Sequence, residues 1–279
     1  MDNSIFFLLF TLPVSFAAGF LGALLGIGGG VILIPFLVLF MGVPVHYAIG
    51  AGMVAVIATS TASGISYVKG GATNIKLSMF LEAGTVAGAL IGALLAARLD
   101  EYVLEILFSL VIFYCAFVMF SSMGKFRRAW NDKVAERFDL GHHHHDPVHG
   151  KQKYGVTNSI SGLFGSVAAG CISSLFGIGG GVVKVPLMNQ LMKVPMKAAA
   201  ATSNFMIGVT AATGSLVFIG LGYVVPWIVA PVTFGVGLGS LIGSRTSHKF
   251  HPETLKLLFV LLLVYVGIRM ALKGLGWMV

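Results

Sequence analysis

The 279-residue chain is 57% hydrophobic and only 10% charged, with 18 Lys and Arg against 10 Asp and Glu for a net charge of +8. Soluble domains carry about 25% charged residues, so an ordinary soluble enzyme and a disordered chain are both excluded. In so apolar a chain the basic excess belongs to cytoplasmic loops and the inner membrane face, not to nucleic-acid binding.

The start of the chain has an apolar core followed by small residues. It carries Asp2 and no Lys or Arg, the wrong charge for a signal peptide, so it reads as a first membrane helix over 5–24. At about 20 apolar residues per crossing, further long helices are predicted over 46–68, 77–97 and 102–121, then 156–176, 197–219, 227–244 and 254–272. Two apolar pieces, 31–41 and 182–192, are too short for an ordinary span. They read as half-helices of a re-entrant hairpin or as tilted, broken crossings. The one long polar stretch, Ser121 to Tyr154, contains His142, His143, His144, His145 and His149. A His run can bind Zn or Ni; the plainer reading is a solvated linker. Cys115 and Cys171 lie in apolar runs and form neither a disulfide framework nor a CxxC motif.

A repeat runs through the chain. Gly26-Ile27-Gly28-Gly29-Gly30 recurs as Gly177-Ile178-Gly179-Gly180-Gly181, an offset of 151. Without a gap, the same offset maps Pro35 onto Pro186, Val43-Pro44 onto Val194-Pro195, and Leu90-Ile91-Gly92 onto Leu241-Ile242-Gly243. Chance matching of apolar sequence would not hold one register so far. The expected organisation is a first repeat over 1–122, a cytoplasmic linker over 123–154 and a second repeat over 155–279.

Loop charge orients these repeats. Lys125, Arg127, Arg128, Lys133, Arg137, Lys151 and Lys153 place the linker inside, and counting back puts Lys69 and Lys76 inside and Arg98 outside. If the 182–192 piece changes the parity, Lys193, Lys197, Arg245 and Lys249 fall inside, with Arg269 and Lys273 outside; otherwise the four become external. The first option obeys the positive-inside rule better. It implies an odd number of crossings per half, inverted repeats and both termini outside. The expected fold is therefore an all-α polytopic membrane protein of two homologous, inverted repeats, each with four long helices and a short half-helix after a GIGGG break. Many secondary transporters share this plan, with sites near the midplane where broken helices meet.

The candidate site residues follow from that plan. Gly28, Gly29 and Gly30, with Gly179, Gly180 and Gly181, would expose backbone N–H groups at a helix start, where the dipole favours an anion. The competing role is tight helix crossing. No βαβ unit surrounds either copy, so nucleotide binding is excluded. Lys184, whose repeat partner is Leu33, is a charge inside an apolar segment. It would neutralise a bound anion or else snorkel to the interface. Glu82, whose partner is Thr233, is a candidate for carrying a coupling proton, or an interfacial residue.

Small polar residues gather on the helix after each Val-Pro. They are Thr59, Ser60, Thr61, Ser63 and Ser66 in the first half, and Thr202, Ser203, Asn204, Thr210, Thr213 and Ser215 in the second. Such groups replace an anion's water shell or bond neighbouring helices. One helix face cannot pack Thr202, Ser203 and Asn204 together, which suggests local unwinding or a polar cavity. Asn189 and Gln190 would line the same path. No catalytic constellation or metal cluster is present, and no enzyme activity, cofactor or nucleic-acid partner is expected.

The pattern from Phe20-Leu21-Gly22 through GIGGG to Pro35, followed by Val-Pro and a small-residue helix, resembles the TauE/SafE sulfite exporter family, also called TSUP. The second copy, Ser174 to Pro186, fits too, and the resemblance spans nearly everything but the linker. It implies movement of sulfite, thiosulfate or C2–C3 organosulfonates across a bacterial inner membrane, driven by a proton or ion gradient. It also implies that the Gly-rich turns and Thr202-Ser203 belong to the site. Ala51-Gly52 departs from that pattern in the first half, so the anion contacts should be asymmetric. The expected partners are a small anionic substrate and membrane lipids, with homodimerisation left open. The competing function is a divalent metal-ion transporter regulated by the His run.

Overall fold

Apolar runs of this length satisfy their backbone polar groups in lipid only as helices, and helices are what they form. The computed structural model describes residues 2–121, 132–146, 150–246 and 252–277. The first half contains α1 (Asp2–Leu25), α2 (Gly30–Leu39), α3 (Val45–Lys69), α4 (Ile75–Ala96) and α5 (Glu101–Ser121). The linker holds α6 (Lys133–Arg137), β1 (His142–Asp146) and β2 (Gly150–Tyr154). The second half contains α7 (Ser159–Phe176), α8 (Gly181–Pro186) running into a π-helical turn (Leu187–Leu191), α9 (Met196–Gly220), α10 (Pro226–Thr246) and α11 (Pro252–Gly274). Among the described residues, seven helices are long and apolar enough to cross a membrane. The protein is a polytopic, all-α membrane protein.

Packing repeats with the sequence offset. A Cβ added to Gly84, Gly88 or Gly92 of α4 would come within 3 Å of Leu163, Val167 or Cys171 of α7; Gly235, Gly239 and Gly243 of α10 stand the same way to Leu12, Phe16 and Phe20 of α1. Numbers rise together on both partners, so α4 runs parallel to α7, and α1 to α10. Along α3 and α9 they run oppositely. Gly50 faces Tyr223, Met53 faces Gly214, and Ser60 faces Gly208. On α5 and α11, Ile112 lies by Gly267 and Ile106 by Gly274. These two pairs are antiparallel.

The short pieces fold back from their breaks as hairpins with α1 and α7. Gly28 stands against Val56, and Ile34 against Gly52, so α2 runs back along α3 from a break level with the middle of that helix. Gly179 stands against the same Val56 and against Ile207, which sets the second break at the same level. In α8, Pro186 lacks the N–H that would continue the α pattern, and the following turn widens to π.

Apolar positions of the linker dock on the helices, while Lys133, Glu136, Arg137 and His143 are exposed. Ala135, Leu140, Tyr154 and Val156 are buried with Leu77, Leu81, Met188, Met192 and Met206, at the end of the helices nearest α6. A few well-spaced apolar side chains suffice to dock an otherwise polar stretch. Asp132 caps α6 through Ala135 N and also accepts from Ser159 N and Oγ at the start of α7. Burial raises the Asp132 carboxyl, but these hydrogen bonds together outweigh it and hold it below the usual carboxylate range. Burial pushes the Tyr154 phenol up to about 12, against the lowering effect of its bond from Asn74. The hairpin pairs His142 with Tyr154 and His145 with Lys151. His149, Lys125, Arg127, Arg128 and Lys249 lie outside the described residues, as do the side chains of His144, His145, Lys151 and Lys153.

Asn74 joins linker and helices. Its Oδ1 caps α4 by accepting from Leu77 N, its Nδ2 donates to Leu140 O at 2.7 Å and Tyr154 Oη at 3.2 Å, and its N–H donates to Thr202 Oγ1 at 3.0 Å. Asn74→Ala should cost about 2–3 kcal/mol, a lost cap plus stranded buried partners. Faster limited proteolysis within 132–154, with a lower melting temperature, is the expected readout.

Candidate functional site

The two glycine breaks meet at the centre. Gly28 and Gly29 have φ of 87° and 72°, and Gly179 and Gly180 of 76° and 71°, a region only glycine enters freely. Gly30 and Gly181 are required for a different reason. A Cβ on Gly30 would lie 2.7 Å from Gly177 O, and one on Gly181 2.2 Å from Gly26 O. The turns therefore pack directly on each other. Val56 and Ile207, themselves repeat equivalents, both reach Gly28 and Gly179 and make the middle apolar. Tight crossing, the competing role, is thus visible in all six glycines.

Beside this plug lies a charged set. Lys184 Nζ donates to Thr210 Oγ1 at 2.5 Å, and Thr210 Oγ1 donates to Glu82 Oε1 at 2.8 Å. A hydroxyl has one hydrogen and two lone pairs, so Thr210 accepts from the ammonium and donates to the carboxylate at once. Thr85 Oγ1 lies 3.4 Å from Thr210 and donates to Glu82 O at 3.1 Å. Lys184 is 1% exposed, and Glu82 Oε2 is buried without a partner. Thr210 is the fifteenth residue of the 25-residue α9, about 21 Å from its start. Both charges were legible as candidates and Thr210 was one hydroxyl among several; its link between the charges, and Thr85, were not. Thr210 stood among many hydroxyls, and nothing in the sequence singled it out.

The repeat offset takes Lys184, Thr210, Glu82 and Thr85 to Leu33, Thr59, Thr233 and Val236. The equivalent place is uncharged, and Thr233 Oγ1 is buried without a partner. The twofold pattern of the helices is therefore broken in charge at this level.

Thr202, Ser203 and Asn204 lie in unbroken helix, so the suggested unwinding does not occur. Their side chains find partners around the helix instead. Thr202 accepts from Asn74 N; Ser203 Oγ donates to Gly26 O at 3.2 Å; Asn204 Nδ2 donates to Ala23 O at 3.1 Å. Ser203 and Asn204 thereby satisfy carbonyls freed where α1 ends. Asn204 Oδ1 is buried and unpartnered. Thr59 Oγ1 donates to Ala55 O at 3.1 Å and to Gly28 O at 3.4 Å, and Ser60 Oγ to Asn204 O at 2.6 Å. These hydroxyls tie α3, α9 and the first break together. Asn189 Nδ2 bonds Val194 O, and Gln190 is exposed. On the opposite end of the molecule from α6, Lys273 pairs with the buried Glu105 at 3.1 Å and donates to Val38 O at the end of α2.

The model of the family described as sulfite exporter TauE/SafE matches residues 11–270. A probable membrane transporter protein of Bacillus subtilis, YunE, is 27% identical over 266 residues, covering 92% of this chain and 94% of the relative. A probable membrane transporter protein of Haemophilus influenzae is 27% identical over 286 residues, covering 96% and 99%. No solved structure matches the chain significantly.

Proposed function

The chain belongs to the sulfite exporter TauE/SafE family of membrane transporters, and we propose that it is a secondary transporter of small sulfur-containing anions in a bacterial inner membrane. Sulfite, thiosulfate and organosulfonates are the proposed substrate class, exported by alternating access and driven by a proton or ion gradient. The observation that carries this reading is the buried Lys184–Thr210–Glu82 chain. A lysine fully inside a membrane bundle is costly and functional by default, and here it lies beside the central helix breaks. Lys184 and Thr210 hold the anion, next to the helix start formed by Gly179, Gly180 and Gly181. Glu82 carries the coupling charge.

The antiparallel course of α3 and α9 supports inverted repeats. A twofold axis that reverses equivalent spanning helices lies in the membrane plane. With the basic linker inside, Lys69, Lys76, Lys193, Lys197 and Arg245 share its face, and Arg98, Arg269 and Lys273 the other.

The test is flux into proteoliposomes with sulfite, thiosulfate, sulfoacetate and taurine under imposed pH gradients. At least one sulfur anion should move faster than in protein-free vesicles and respond to the gradient. Flux of none of the four above the protein-free rate contradicts the reading.

A further inference from the structure

Resting on that reading, we infer that Glu82 is a built-in occupant of the anion site. An entering anion takes its place on Thr210 and Lys184, and Glu82 accepts one proton as it is displaced.

The geometry supports an exchange rather than an addition. Thr210 has one hydroxyl hydrogen, and Glu82 Oε1 at 2.8 Å is its nearest acceptor, ahead of Met206 O at 3.1 Å and Thr85 Oγ1 at 3.4 Å. Lys184 Nζ makes its bond to the same Thr210 oxygen. An anion oxygen that binds the Lys184 ammonium and takes the Thr210 hydrogen must remove it from Glu82. With Glu82 still ionised, two anions would then share one buried cation in a medium of low dielectric. Protonation removes that conflict. The proton comes from the water on the open side, and the only bond formed is O–H on the carboxylate, most simply at Oε2, which is buried and has no partner. No electron transfer is involved.

The groups facing Glu82 are few. Lys184 of α8 is the charge, Thr210 of α9 and Thr85 of α4 are the hydroxyls, and α7 brings no Asp, Glu, Lys or Arg. Of the two titratable groups here, Lys184 and Glu82, Glu82 is the one that the anion displaces from Thr210. Three consequences follow. The site takes one anionic head group at a time, binding consumes one proton, and the occupied and empty site carry the same net charge. Thr210 becomes the residue that makes anion and carboxylate mutually exclusive. The equivalent set, with Leu33 and Thr233, holds no charge to exchange, so one such event occurs per chain.

The experiment uses the full-length protein and ethanesulfonate and thiosulfate, neither of which titrates between about pH 5 and 9. Sulfite is left out because it takes up a proton itself. Calorimetric titration in buffers of differing ionisation enthalpy gives protons bound per anion, and proteoliposome counterflow gives exchange without a gradient. Wild type should take up about one proton per anion, with affinity falling about tenfold per pH unit on the alkaline side. Glu82→Gln should bind with proton uptake cut well below one per anion, and its flux should lose acceleration by a pH gradient. Thr210→Val should weaken anion binding at least tenfold, and Thr210→Ser should restore both affinity and proton uptake. If E82Q still takes up one proton per anion, the inference fails and the transport reading stands. If T210V binds and couples like wild type, it fails in the same way. If the wild type binds neither probe, both fall.

Discussion

Lys184→Leu is expected to lose both activity and stability, and a second substitution should restore only the latter. Removing the ammonium strands the Glu82 carboxylate, whose Oε2 already has no partner. Breaking one side of a buried charge pair costs about 3–5 kcal/mol. Anion flux should fall at least about 30-fold, since loss of a buried charged partner costs 2 kcal/mol or more in binding. Leu33 and Thr233 occupy the equivalent positions in the first repeat, so K184L with E82T copies a pair that this fold already accommodates. The double variant should melt within about 1 kcal/mol of wild type, because an uncharged pair of similar volume replaces a buried charged one at little cost. Its flux should stay as low as that of K184L. Thermal unfolding in detergent and flux in vesicles, run on all three proteins, separate the two effects. Full flux in the double variant would show that the charges are not used.

Gly181→Ala should be among the damaging single-methyl changes in the protein. Its Cβ would sit 2.2 Å from Gly26 O, a backbone atom of the opposite break that cannot swing aside. Overpacking of this kind costs about 1–3 kcal/mol where side chains can yield, and here the obstacle is main chain, so more than about 3 kcal/mol is expected. Gly30→Ala, at 2.7 Å from Gly177 O, should be less severe than Gly181→Ala. Gly64 supplies the control. It lies in α3 with nothing within 4 Å of an added Cβ, and alanine there should stabilise by about 0.5–1 kcal/mol because glycine is the poorer helix former. Melting temperatures should therefore rank G64A highest and G181A lowest. Equal melting of G181A and G64A would mean that the two breaks do not touch.

Much of the helical layout was legible because a bilayer leaves so few solutions. Long apolar runs had to become helices, and the predicted 46–68 and 197–219 match α3 and α9 within two residues at each end. GIGGG marked the breaks because positive φ and close main-chain contact are glycine's own properties. Lys184 and Glu82 stood out as charges among apolar neighbours, yet their union did not. They lie 102 positions apart in opposite repeats, and only the three-dimensional register of α4, α8 and α9 brings them to one hydroxyl. Thr202, Ser203 and Asn204 were read as a broken stretch because three adjacent polar side chains cannot share one face. The helix stays whole because each side chain finds a partner in a different direction, two of them carbonyls at the end of α1. The docked linker was hidden for a compositional reason: Ala135, Leu140, Tyr154 and Val156 are a small minority in a polar segment, and burial depends on where they point.

The most direct measurement is anomalous diffraction from crystals grown with 2-bromoethanesulfonate. One bromine peak per chain is expected, within about 6 Å of Lys184 Nζ, about the reach of a small sulfonate whose charged head group is hydrogen-bonded to the ammonium, with Thr210 facing the bound sulfonate and Glu82 moved away from it. A peak at the equivalent place beside Leu33 and Thr59, or no peak inside the helices at all, would contradict an anion site built on Lys184.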